Sequence, residues 1–129
     1  MQWLRTQAFS SGKVAAIGFC MGGRTAFLAA AHGDVDASIS LYALGIAKHL
    51  GELRTITTPL QLHYGLNDEH IPKSEVDAVI AAAKDNRNVE VYLYPDAEHG
   101  FFTKGRPAFN AEVVAAATAH IERLLSRLT

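Results

Sequence analysis

Short apolar runs alternate with longer amphipathic stretches along this chain. Val14 to Phe19, Asp36 to Tyr42, Leu60 to Tyr64 and Val89 to Tyr94 are rich in β-branched, aliphatic and aromatic residues and read as strands. Between them the spacing turns helical. Cys20 to His32 is an Ala-rich helical run, with Gly33 placed to cap it. Lys73 to Lys84 carries Val76, Val79, Ile80 and Ala83 on one side and charges on the other. A long final helix is predicted from Pro107 or Ala108 to Leu128, with Pro107 suited to its first turn. Met1 to Ala8 reads as the last turns of a helix without an N-cap, and Ile46 to Leu53 as a short helical turn. Strands that alternate with helices predict an α/β fold, a four-stranded, mostly parallel sheet flanked by helices. A length of 129 residues favours one domain over 1–129.

The most informative stretch joins the first strand to the helix behind it. Lys13 to Gly23 reads K-V-A-A-I-G-F-C-M-G-G, with Gly18 and Gly22 two residues either side of Cys20 and Gly23 next. This is the small-x-nucleophile-x-small pattern of a nucleophile elbow, with Cys in place of Ser. A thiol there sits at a helix N-terminus, where N–H groups favour a thiolate. The plain alternative is a small buried Cys on a Gly-rich turn.

Composition narrows the partners. Hydrophobic residues make up 49% of the chain and charged ones 19%, with a formal net charge of −1. That balance gives no electrostatic footprint for nucleic acid or an anionic membrane. No apolar run reaches membrane-spanning length, and Met1 to Arg5 has no secretory core, so the expected compartment is the cytoplasm. One cysteine excludes an intramolecular disulfide, and the six histidines show no metal-ligand spacing, so no metal site is expected.

Ligands of parallel sheets bind beyond the carboxyl ends of the strands. The first strand ends at Cys20, the third just before Asp68 and the fourth just before His99. The order nucleophile, acid, histidine is that of the α/β-hydrolases. His99 could take and return the thiol proton, Asp68 could fix its tautomer, and the Met21 N–H could donate into an oxyanion hole. Glu69 is the rival acid. His70 reads as a solvated loop residue with substrate contact as its other reading. His63 reads as a packed strand residue.

Three linked segments resemble the dienelactone hydrolase family of α/β-hydrolases: Gly18-Phe19-Cys20-Met21-Gly22-Gly23, then His63 to Asp68 with Ile71-Pro72, then Tyr94 to Phe101. The resemblance implies a Cys20, His99 and Asp68 triad that hydrolyses an ester or lactone through an acyl-thiol intermediate without cofactor. It also implies a departure: the chain matches only the C-terminal half of the family, a truncated α/β-hydrolase. The family's substrate-binding arginine a few residues after the histidine is replaced by Phe102, Thr103 and Lys104, with Arg106 further on.

Without upstream strands, Val14 to Phe19 becomes an apolar edge strand with neither charge nor Pro to guard it. The expectation is a homodimer through that edge or its surroundings. The alternative function is a non-catalytic hydrolase-fold module that self-associates or completes its sheet with a partner. An amidotransferase-like Cys site is a weaker rival, since no Glu follows shortly after His99.

Overall fold

The computed structural model describes residues 1–129. In chain order the elements are α1 (Gln2–Arg5), β1 (Ala15–Phe19), α2 (Met21–Ala31), β2 (Ala37–Leu41), a 3-10 turn (Ile46–His49), α3 (Leu50–Thr55), β3 (Leu60–Gly65), α4 (Lys73–Ala83), β4 (Val89–Tyr94) and α5 (Ala111–Ser126). The four strands form one sheet in the order β1-β2-β3-β4, parallel throughout.

Because every step across the sheet goes the same way, right-handed crossovers put α2, α3 and α4 on one face. Strand register fixes which residues look that way. Ser38 pairs with Leu60, and the Ser38 hydroxyl donates to the Ala26 carbonyl of α2 at 2.7 Å. Ile39 pairs with Gln61, and the Gln61 amide donates to the His120 carbonyl of α5 at 2.9 Å. The opposite face therefore has α5 as its cover. β2 and β3, buried on both faces, form the centre of the core.

The two edges differ. On β4, Glu90 accepts from the Tyr92 hydroxyl and pairs with Arg123 and Arg127, each at 3.5 Å. Such charges guard an edge against unwanted pairing. β1 has no such guard. Its α2 face is closed over the buried Gly18, but its other face leaves Ile17 51% and Phe19 40% exposed.

Most boundaries fall within a residue or two of the sequence reading, β2 for example ending at Leu41 and not at Tyr42, but two depart further. α1 ends at Arg5, because the Thr6 hydroxyl and the Gln7 amide both donate to the Trp3 carbonyl and turn the chain. α5 starts at Ala111, not at Pro107 or Ala108. Asn110 is its N-cap: Oδ1 accepts from the Val113 N–H at 3.2 Å, while the Asn110 N–H donates to the Phe101 carbonyl at 3.1 Å. A side-chain cap is worth about 1 kcal/mol, and a favoured φ at Pro107 does not supply one. The residues from His99 to Phe109 are left as consecutive turns over the carboxyl end of the sheet.

Candidate active site

Cys20 stands between β1 and α2 with φ 55° and ψ −118°, outside the regions where L-residues are relaxed. Three glycines surround it, and they are not equivalent. A Cβ on Gly18 would lie 1.9 Å from the Gly22 carbonyl oxygen, so strand and helix touch backbone to backbone there. A Cβ on Gly23 would meet Ala43, Leu41 and Ser40 at 3.0 Å. Gly22 faces open space. The close approach at Gly18 swings the chain through the sharp turn and leaves the sulfur at the first turn of α2. The first N–H groups of any helix lack intrahelical acceptors, and no side chain caps α2.

β3 and β4 bring two loops to the same place. Gly65 ends β3, and a Cβ there would sit 2.3 Å from the Ala97 carbonyl oxygen. This contact lets the loops bond directly: the Leu66 N–H donates to Tyr94 and the Asn67 N–H to Ala97, both at 2.9 Å. Asp68 follows, its side chain 1% exposed. Its Oδ1 accepts from the His70 and Ile71 N–H groups at 2.7 and 3.2 Å, leaving Oδ2 for His99.

His99 closes the line. Nδ1 lies 2.8 Å from Asp68 Oδ2, and Nε2 lies 3.2 Å from Cys20 Sγ. Oδ2 only accepts when ionised, so Nδ1 carries the proton and Nε2 faces the thiol as acceptor. In this state the ring can receive the S–H proton, and the imidazolium that results has a carboxylate behind it.

Aromatic rings hold the histidine from the sides. Tyr42 meets it edge-on at 5.1 Å between ring centroids and His70 at 4.6 Å. Phe101, fully buried, packs against both Tyr42 and Tyr94 and anchors the loop that carries His99. Tyr94 in turn bonds His63 Nδ1 at 2.9 Å. Burial depresses the His63 pKa to about 4, helped by His120, and raises that of Tyr94 to about 12. His63 is therefore neutral at pH 7, a packed residue beneath the site.

An open cleft runs from Cys20 past Phe19, Tyr42, His70, Thr103 and Arg106. No group of His, Cys, Asp or Glu is arranged to hold a metal ion, and no helix is long and apolar enough to cross a membrane.

The sequence had singled out Cys20, Asp68 and His99, and they stand in one hydrogen-bonded line. Glu69, the rival acid, lines a separate recess beside His70 and His99. His70, read as a loop residue, packs on His99. Tyr42 was not singled out, and Gly65, Phe101 and Arg106 were named in their segments without a role at the site. Gly65 had a readable signal, a glycine closing a strand just before the Asp68 loop. Phe101 and Arg106 depend on a fold-back of the His99 to Phe109 turns, and Tyr42 on its positive φ, neither of which spacing reveals.

The model of the dienelactone hydrolase family matches residues 1–129. The chain belongs to that family. Dienelactone hydrolase relatives with curated names include the carboxymethylenebutenolidase of Pseudomonas putida, 32% identical over 128 residues, which cover 99% of this chain and 53% of the relative. Carboxymethylenebutenolidase 1 of Cupriavidus pinatubonensis is 30% identical over 99% of this chain and 54% of its own length. The chain thus spans about half the length of these relatives. Among solved structures it is similar to a dienelactone hydrolase-like promiscuous phosphotriesterase from metagenomic libraries, at 26% identity and a TM-score of 0.79, over 95% of this chain and 56% of that one. An esterase of Pyrococcus furiosus shares the fold, with a TM-score of 0.72 over 94% of this chain at 19% identity.

Proposed function

We propose that the chain hydrolyses an ester or lactone, with Cys20 as nucleophile, His99 as general base and acid, and Asp68 as the group that orients His99. The observation that carries this reading is the contact line of 3.2 Å from Sγ to Nε2 and 2.8 Å from Nδ1 to Oδ2. His99 takes the thiol proton as sulfur attacks the carbonyl carbon. The Met21 N–H, first after the nucleophile, receives the developing oxyanion. The intermediate expels the alkoxide oxygen, which takes the proton from His99, and an acyl-thioester remains on Cys20. Water, losing its proton to Nε2, attacks the thioester; the acid departs and the proton returns to sulfur.

Arg106 supports a narrower substrate class. It stands in the cleft with Cys20, and a guanidinium there suits an ester or lactone that carries a carboxylate. The curated relatives are named for a butenolide that bears a carboxymethylene group.

A second reading has an observation of its own. Exposed Ile17 and Phe19 on unguarded β1 favour a non-catalytic module that pairs with a second copy through this edge. Turnover of p-nitrophenyl acetate by the wild type and by Cys20→Ala separates the two. A hydrolase loses its rate with the thiol. Equal background rates in two folded proteins refute the first reading and leave the second.

A further inference from the structure

Tyr42 concentrates two unfavourable features in one residue. Its φ is 40°, and only one other non-glycine residue, Cys20 itself, has a positive φ. Its hydroxyl is buried without a hydrogen-bond partner; the Thr103 hydroxyl and the Phe102 N–H lie nearby but complete no bond. Neither feature helps the sheet. Strain and an orphaned polar group persist where the surroundings enforce them, often at functional sites.

The backbone strain has a visible result. By alternation along β2, Ser38 and Ser40 look toward α2, and residue 42 would follow them. The left-handed turn at Tyr42 takes the ring out of that sequence and across the carboxyl end of the sheet. There it lies against Phe19 (6.1 Å), Phe101 (5.1 Å) and His99 (5.1 Å), and it lines the cleft beside Cys20. At 2% exposure the ring has little room to move. The ring meets the imidazole edge-on, at 60°, in the arrangement aromatic pairs favour.

We propose that Tyr42 is a positioning residue for His99, whose ring fixes the imidazole plane so that Nε2 stays on the Cys20 sulfur. Asp68 holds Nδ1 and so sets the tautomer; it leaves the ring free to swing about the line of that bond. Tyr42 removes this freedom from one flank. The ring does this work and the hydroxyl does not. Burial pushes the tyrosine pKa up, so the group stays neutral and places no charge beside His99.

The inference rests on the proposed triad, and the test separates the two. Cys20 is the only cysteine, so alkylation by iodoacetamide reports on it alone. Tyr42→Leu is expected to lower kcat on p-nitrophenyl acetate on the order of 10- to 100-fold, with KM within about twofold, and to slow alkylation in step. Tyr42→Phe keeps both within about threefold. Where the Leu variant fails to fold by near-ultraviolet circular dichroism, Tyr42→Met, which refills the space flexibly, takes its place. A folded Leu or Met variant with wild-type kcat and alkylation overturns the proposal. So does a raised KM at unchanged kcat, which makes Tyr42 a binding contact, and so does a Phe variant as impaired as the Leu one. Slowed alkylation in Tyr42→Leu, with the wild type no faster on ester than Cys20→Ala, upholds the positioning role and removes the hydrolase reading.

Discussion

Gly18 and Gly22 meet backbone to backbone, with 1.9 Å separating an ideal Cβ on the first from the carbonyl oxygen of the second. Nothing can shift to relieve that contact without moving α2 off β1. Gly18→Ala is therefore expected to cost more than about 4 kcal/mol, beyond the range of ordinary substitutions, and to yield insoluble or unfolded protein. Gly22→Ala meets open space within the first turn of α2. It is expected to be neutral or up to about 1 kcal/mol more stable, since alanine is the better helix former. Urea denaturation of both variants checks the pair; equal destabilisation of the two contradicts the geometry.

The same pair marks how far a sequence can be read here. The elbow pattern treats its glycines alike, because the pattern encodes spacing and not which Cβ points at what. β4 was readable to the residue, since Val89 to Tyr94 stands between turn residues and the Pro95 loop. α5 was not: Pro107 carries a strong helix-start signal, and the Asn110 cap prevails over it through a bond to Val113 plus one to Phe101. Cys20, Asp68 and His99, which stand in one hydrogen-bonded line, were legible because each follows a strand end closely. Tyr42 was not, because its role comes from a backbone twist that breaks strand alternation.

Acid lability should begin well above the carboxylate range. His63 titrates at 6.5 in the unfolded chain and at about 4 when folded, so between these values the unfolded state binds more protons. Its contribution is fully present above pH 6.5 and is lost as pH falls toward 4. The loss amounts to about 3 kcal/mol. His120, lowered by burial and by Arg123, adds in the same direction. Asp36 and Glu90, both held below the usual carboxylate range, add a separate loss only at lower pH. Urea midpoints at pH 7, 5.5 and 4 should fall steadily. His63→Gln should flatten the fall between 6.5 and 4; an unchanged slope in that variant excludes His63 as its source.

Asp68→Asn is expected to lower ester turnover by about 10³-fold or more. The amide nitrogen cannot accept the Nδ1–H, and the ring loses both its tautomer and the charge behind it. Steady-state rates on p-nitrophenyl acetate test this. A loss of tenfold or less would point to Glu69 as the working acid instead.

Ile17→Lys should abolish self-association and leave the fold in place. Ile17 is half exposed at the middle of β1, where a charge guards an edge. Light scattering after size exclusion is expected to give two copies for the wild type at micromolar concentration and one for the variant. A monomeric wild type under those conditions rules out pairing through β1.

Asp36 ties the start of the chain to the sheet, accepting from Arg5 and from the Val14 N–H at 2.8 Å. Asp36→Ala should cost about 1–3 kcal/mol by leaving both donors without their charged acceptor. Protease digestion is expected to cut first between Arg5 and Lys13; an unchanged digestion pattern argues against the tie.

Phe19 belongs to two surfaces at once. It is the last residue of the exposed face of β1, and it lines the cleft beside Cys20. A partner seated along that face would touch a residue of the cleft wall. A second copy on that face and a ligand in the cleft would share this side chain, which gives the two a physical route to influence each other. If an inhibitor held at Cys20 tightens association by some factor, association tightens the inhibitor by that same factor. Turnover measured across a dilution series would then follow the law of mass action for assembly, and the specific activity of the protein would depend on its own concentration.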